Sequence, residues 1–258
     1  MLNKSLYLTA MVICIITGRL SGQESDSSEF KFPAGVGVEY GIGNIAVTDE
    51  YISKEKYSGT MPFFTFYWSR MHETYGYRLQ FMFRSSDDIR NNNVSTEIVE
   101  GALRNSYLYP LKPVNVFGKR TFLFLGPVSE FYFYYNQPKI AVSGFDYAQS
   151  FAALLSLGGC IESYFLLSEN FSVESDFNIS LLSLGLRMVD SEEEDVSPAK
   201  LLTAFAGFNG SFRLGLRYRL FTSLSVRLAY GLQLTRISSW TPLLAVSDNL
   251  IATLSYEY

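Results

Sequence analysis

Along most of this chain apolar and polar residues alternate one by one. In "GVGVEYGIGN" Val36, Val38, Tyr40 and Ile42 interleave with Gly37, Glu39, Gly41 and Gly43. "YGYRLQFMFR" sets Tyr75, Tyr77, Leu79, Phe81 and Phe83 against Gly76, Arg78, Gln80, Met82 and Arg84. Phe171, Val173, Phe177 and Ile179 oppose Ser172, Glu174, Asp176 and Asn178 in the same way. So do Phe208, Phe212, Leu214 and Leu216 with Asn209, Ser211, Arg213, Gly215 and Arg217, and Val226, Leu228, Tyr230, Leu232 and Leu234 with Arg227, Ala229, Gly231 and Gln233. A period of two places alternate side chains on opposite faces of a strand; a helix would repeat at three and four.

The pattern predicts strands near 35–47, 60–70, 75–86, 94–109, 120–136, 150–166, 171–188, 202–218, 223–237 and 248–258. Segment 150–166, "SFAALLSLGGCIESYFL", is also compatible with a buried helix, but its neighbours and the Gly158–Gly159 pair favour a strand. Connectors after odd strands are long and polar ("TDEYISKEKYSG", "SSDDIRNNN", "NQPKIAVSGFDYA", "VDSEEEDVSPAK", "SSWTPLLAVS"). Those after even strands are short ("MHET", "LSEN", "LFTS"), with "PLKPVNVFGK" the exception. Alternating long and short connections belong to an up-and-down meander whose two ends face different surroundings. The expected fold class is all-β: a closed antiparallel transmembrane β-barrel of about ten strands, within a range of about eight to twelve.

Period alone does not say whether the apolar face points outward. Three features do. The strands commonly reach ten residues, which at about 3.3 Å each and a tilt near 40° suits an apolar belt of about 25 Å. The polar face carries both signs of charge: Glu39, Glu100, Glu130, Glu162, Glu174 and Asp176 against Arg78, Arg84, Arg104, Arg213, Arg217 and Arg227. Such charges can pair inside a lumen, whereas facing lipid an Arg at mid-membrane costs about 2–4 kcal/mol. Finally, aromatics gather near strand ends in "FTFYWSR", "SYLYP" and "FYFYYN", where interfacial girdles sit.

The first 22 residues follow another plan. Lys4 precedes an apolar run from about Leu6 to Ile16, then small residues Ser21 and Gly22 and an abrupt polar turn. This reads as a secretory leader, cleaved near Gly22, leaving residues 23–258 as one barrel domain. Composition agrees with a strand-rich chain, with 18 Tyr and 21 Phe. A net charge of −4 without a basic block speaks against nucleic acid as a partner.

The last strand, "DNLIATLSYEY", alternates to the final residue, with Leu250, Ala252, Leu254, Tyr256 and Tyr258 on one face. A terminal strand stays ordered when closure pairs it with the first. With the leader and the meander, this resembles the small outer-membrane β-barrel proteins of Gram-negative bacteria. The resemblance implies that these five residues form the signal read by the barrel-assembly machinery. It also implies Phe at the last position, where this chain has Tyr258.

Candidate chemistry is sparse. The only histidine, His72, sits in a short connector, and Cys160 is the only cysteine after the leader. A His-based triad or a Cys or His zinc site is thereby disfavoured. Glu174 and Asp176 lie two apart on one lumen face, and Arg213 and Arg217 are expected to neutralise them. The run "DSEEED" at 190–195 lacks the spacing of a calcium loop. No catalytic residue, metal or cofactor is therefore assigned. The expected role is structural, anchoring or interaction, with paired charges filling the lumen. A narrow pore for ions or small solutes is the alternative, kept open by the space that Gly37, Gly41 and Gly43 leave. A membrane-embedded hydrolase built from carboxylates comes third. The expected partners are outer-membrane lipids, the assembly machinery and a protein reached through the loops.

Overall fold

The computed structural model describes residues 33–72, 74–91, 94–139, 149–187 and 199–258. The leader and the acidic run 190–195 lie outside the described residues. The strands are β1 (Gly35–Asp49), β2 (Ser53–Met71), β3 (Gly76–Arg90), β4 (Ser95–Pro110), β5 (Val114–Val116) and β6 (Lys119–Lys139). They continue with β7 (Ser150–Leu166), β8 (Phe171–Arg187), β9 (Ala199–Thr203), β10 (Gly207–Phe221), β11 (Leu224–Ile237) and β12 (Leu243–Glu257). The long strands pair antiparallel in chain order, β4 with β6 and β8 with β10 among them, and β12 pairs with β1, so the sheet closes. The barrel has ten staves. The short β5 forms a hairpin with the start of β6, and β9 continues β10 along β8.

Closure runs the full length of both terminal strands, from Gly35 opposite Glu257 to Asp49 opposite Leu243. Every stave thus has two neighbours, which is what a backbone in a lipid environment requires; the short β5 pairs with β6 alone. Both described ends of the chain lie at one end of the barrel, here called the terminal end; the opposite end is the loop end. Segment 150–166 is strand throughout, since its backbone groups are taken by β6 on one side and β8 on the other.

Several strands run further than the alternation of apolar residues suggested. β2 begins at Ser53 and β3 ends at Arg90, so "TDEYISKEKYSG" is mostly ladder around a tight turn. Polar residues extend a hydrogen-bonded ladder readily once solvent or neighbours satisfy their side chains, and then no apolar face marks the strand. The exceptional connector "PLKPVNVFGK" is largely the β5–β6 hairpin.

The outward face is apolar, with Val38, Tyr40, Ile42, Phe64, Phe66, Phe81 and Leu250 all about half exposed. Aromatics crowd its terminal end: Tyr77 meets Trp68 and Tyr107 edge-on, and Tyr75 lies near Tyr107 and Tyr109. The inward face is layered. Towards the loop end it is apolar, with Ile45, Val47, Tyr57, Met61, Ile89, Ile98, Tyr134, Leu154, Leu202, Ile237 and Leu243 buried in one cluster. Most of its charges lie towards the terminal end, with the pair Asp49–Arg187 set into the loop-end layer.

Candidate functional site: the charged lumen

Strand parity brings the lumen charges together. Odd residues of β1, β10, β11 and β12 and even residues of β4, β6 and β7 face inward, as do the even sets of β3 up to Arg84 and of β8 up to Ser180. Glu39, on β1, lies almost wholly out of solvent, 1% exposed. It accepts from Arg213 Nη1 at 2.9 Å and from Arg227 Nη2 at 2.8 Å. Arg227 Nη1 also donates to Glu174 at 3.4 Å, and Arg217 Nη1 donates to Glu174 at 3.1 Å. Arg217 bonds Glu257 through its other terminal nitrogen. The result is one alternating chain of charge: Arg213, Glu39, Arg227, Glu174, Arg217, Glu257.

Three further pairs stand beside it. Arg78 donates to Glu162 at 2.5 Å, and Tyr164 donates to the other Glu162 oxygen at 2.7 Å. Arg104 donates to Glu130 at 2.6 Å, and Asn209 donates to the second oxygen of Glu130. Arg84 bonds Glu100, which also accepts from Tyr132 at 2.7 Å, while Arg84 Nη1 donates to Ser247 at 2.8 Å. Burying a charge is costly unless it is paired and its remaining hydrogen-bonding capacity is met, and these carboxylates each find two or more donors.

The Glu174–Asp176 pair differs from expectation. Arg213 sits directly opposite Asp176 in the ladder, yet its guanidinium turns to Glu39. Glu174 is neutralised by Arg217 and Arg227 instead. Asp176 accepts from Asn178 at 3.4 Å, and no cation among the described residues comes within ion-pair distance of it. The reason is burial: Glu39 is deeper, so leaving it unpaired would cost more than leaving the half-buried Asp176 to solvent.

Two groups escaped the sequence reading. Glu257, next to last, continues the inward parity of β12 and would have been found by extending it. Arg187 is buried and bonds the equally buried Asp49 at the loop end. By the parity of Glu174 and Asp176 an odd residue of β8 should face outward. A bulge opposite Leu157–Gly158 leaves Leu181 and Leu182 both pointing out and flips the remainder of β8.

The glycines of β1 do not leave an open channel. A Cβ at Gly37 would collide with the Tyr67 ring, one at Gly41 with the Phe63 ring, and one at Gly43 with Asn249. Rings from β2 therefore fill that space. What remains are cavities of about 40 Å³ and 30 Å³, both bordered by Gln80, Arg104 and Arg213. Each has room for a few waters. His72 is remote from this set; its ring stacks on Tyr75 at 4.7 Å in the β2–β3 turn. Cys160 faces the lumen and is buried, its thiol 3.3 Å from the Gly126 carbonyl. The outward residues of β12 (Leu250, Ala252, Leu254, Tyr256 and Tyr258) line the lipid-side face beside β1.

No protein-family model matches the sequence, and no curated protein matches it significantly. Solved structures with a similar fold include the outer membrane protease OmpT from Escherichia coli, at 9% identity and a TM-score of 0.49. That match covers 90% of this chain and 99% of the protease. The translocator domain of the autotransporter NalP from Neisseria meningitidis matches at 8% identity and a TM-score of 0.49, over 98% of this chain and 96% of that one. Neisserial surface protein A matches at 8% identity and a TM-score of 0.39, over 88% of this chain and all of that one. The closed all-β barrel itself is read from the pairing of its own strands.

Proposed function

We propose that this chain is an integral outer-membrane barrel with a structural, anchoring or interaction role and a lumen that does not conduct. In this reading residues 1–22 direct export and are removed, both ends of the mature chain are periplasmic, and the lipids of the outer membrane surround the belt. The assembly machinery reads the strand that ends at Tyr258. The role assigned to the lumen side chains is mechanical: they fill the barrel and hold its staves in register.

One observation carries the reading. The loop-end part of the lumen is packed by apolar side chains from nine of the ten staves, including Ile45, Met61, Ile98, Leu154, Ile237 and Leu243, each at most 1% exposed. The polar groups set into that layer bond one another, Arg187 and Asn136 to Asp49 and Thr96 to Asn136. A hydrated ion crossing it would have to trade its water for side chains already engaged, at a cost of several kcal/mol. The narrow pore keeps one observation in its favour: the two polar cavities adjoin, sharing the lining residues Gln80, Arg104 and Arg213. Conductance of the refolded mature chain in a planar bilayer separates the two. A silent, heat-modifiable barrel is expected; steady, salt-dependent current steps would replace the plugged barrel with the pore.

A further inference from the structure

The tip of the β5–β6 hairpin presents an aromatic ring on a strained backbone. Phe117 and Gly118 join Val116 to Lys119 as a two-residue loop, with φ of 50° and 73°. Two left-handed central residues make a type I′ turn, whose first position favours Asn, Asp or Gly. A bulky residue there is a genuine outlier. Phe117 is the only described non-glycine residue with positive φ. Its ring makes little contact with the barrel in return, being 95% exposed. Strain of this kind persists where a site uses it.

The hairpin also reaches beyond the belt. Tyr109, among the terminal-end aromatics, pairs with Leu125, and Gly118 lies seven residues further along. At about 3.3 Å per residue and a tilt near 40°, the tip stands roughly 18 Å beyond Tyr109 along the barrel axis. The headgroup layer on one side of a bilayer is only about 5–8 Å deep. Phe117 therefore stands in water, past the lipid that could cover it. Its own hairpin is basic: Lys112, Lys119 and Arg120 flank the tip, and no Asp or Glu occurs between Glu100 and Glu130. Lys119 Nζ also donates to the Leu167 carbonyl at 3.3 Å, in the neighbouring turn that carries Glu169.

We propose that this hairpin is a docking element for a protein in the compartment at the terminal end, one that offers an apolar pocket for the Phe117 ring inside an acidic rim. A rigidly held aromatic anchor is the usual centre of an interface, and the flanking cations steer an acidic partner towards it. The depth of the tip rests on the membrane-embedded reading proposed above, which heat-modifiability of the wild-type chain in detergent tests by itself.

The decisive variant is Phe117→Asn. Asn suits the first position of a type I′ turn, so this change removes the ring while relieving the strain. A benzophenone photo-cross-linker at position 117 of the full chain in its own membrane is compared with one at Phe221, an exposed residue beside another turn at the same end. The expected result is a discrete protein adduct from 117 alone. That protein, once purified, binds the refolded barrel, and Phe117→Asn raises its Kd at least tenfold while the barrel stays heat-modifiable. Lys112→Glu with Lys119→Glu raises the Kd as well, more at low salt than at high. A lipid adduct alone, no adduct, or a protein whose Kd ignores Phe117→Asn overturns the proposal.

Discussion

Trp68 Nε1 donates a hydrogen bond to Tyr258 Oη at 2.8 Å, joining β2 to the last residue of the chain. Tyr258 Oη also lies 3.4 Å from the Ser69 carbonyl, and its backbone N–H donates to Ala34 at 3.2 Å. The final side chain therefore latches the closing seam one strand beyond its partner β1. This explains why Tyr stands where the outer-membrane family favours Phe: a Phe ring could keep the packing but has no hydroxyl to offer Trp68.

Replacing Tyr258 with Phe should lower unfolding stability by about 0.5–1.5 kcal/mol, the net worth of an ordinary hydrogen bond. Urea unfolding of the refolded barrel, followed by tryptophan fluorescence, measures it. If the midpoint matches that of the wild type, the latch contributes nothing.

Glu39→Gln should be far more damaging. It leaves Arg213 and Arg227 without their shared carboxylate in the lumen, and breaking one member of a buried ion pair costs about 3–5 kcal/mol. Glu257→Gln, at the rim, should cost less because Glu257 is itself more accessible to water than Glu39 and Arg217 keeps Glu174. The comparison is made by denaturant midpoint in the same lipid; equal losses would show that the network does not act from its buried centre.

Gly41→Ala places a methyl group against the Phe63 ring and should destabilise by about 1–3 kcal/mol, as overpacking does. Combining it with Phe63→Leu should recover part of that loss, since the ring is what the methyl group meets. A double variant no more stable than Gly41→Ala alone would mean that the ring is not the obstacle.

Cys160 reports on the lumen from within. It lies on the same inward face as Glu162 and is buried against the Gly126 carbonyl. A small charged thiosulfonate reagent should leave it unmodified in the folded barrel for hours and label it promptly in urea, read by mass spectrometry. Fast labelling of the folded form would require an open wet route to the middle of the lumen.

How far residues could be read ahead of the structure depended on parity. Glu39, Arg78, Arg104, Arg213 and Arg227 were legible as lumen residues because each strand keeps one parity across them. Arg187 was not, because a bulge in β8 reverses the count after Ser180 and leaves no mark in the spacing of apolar residues. The partner of each charge was not legible either. Arg213 is opposite Asp176 in the ladder but reaches across the lumen to Glu39, a choice made by the length of an arginine and by relative burial.

The sequence by itself determined that the chain is a strand meander with an apolar and a polar face, closed by a last strand that alternates to its end. Period two is a local property, set by the backbone and by which side chains tolerate lipid, so it survives in one dimension. Only the tertiary structure decided that the lumen is layered, with most ion pairs towards the terminal end and a largely apolar layer at the loop end that encloses the single pair Arg187–Asp49. Ile45 and Val47 have the same parity as Glu39, and only closure places them against Met61, Ile98 and Leu243 from other staves. Depth along the barrel and neighbours across it arise from shear and curvature, which no single strand contains.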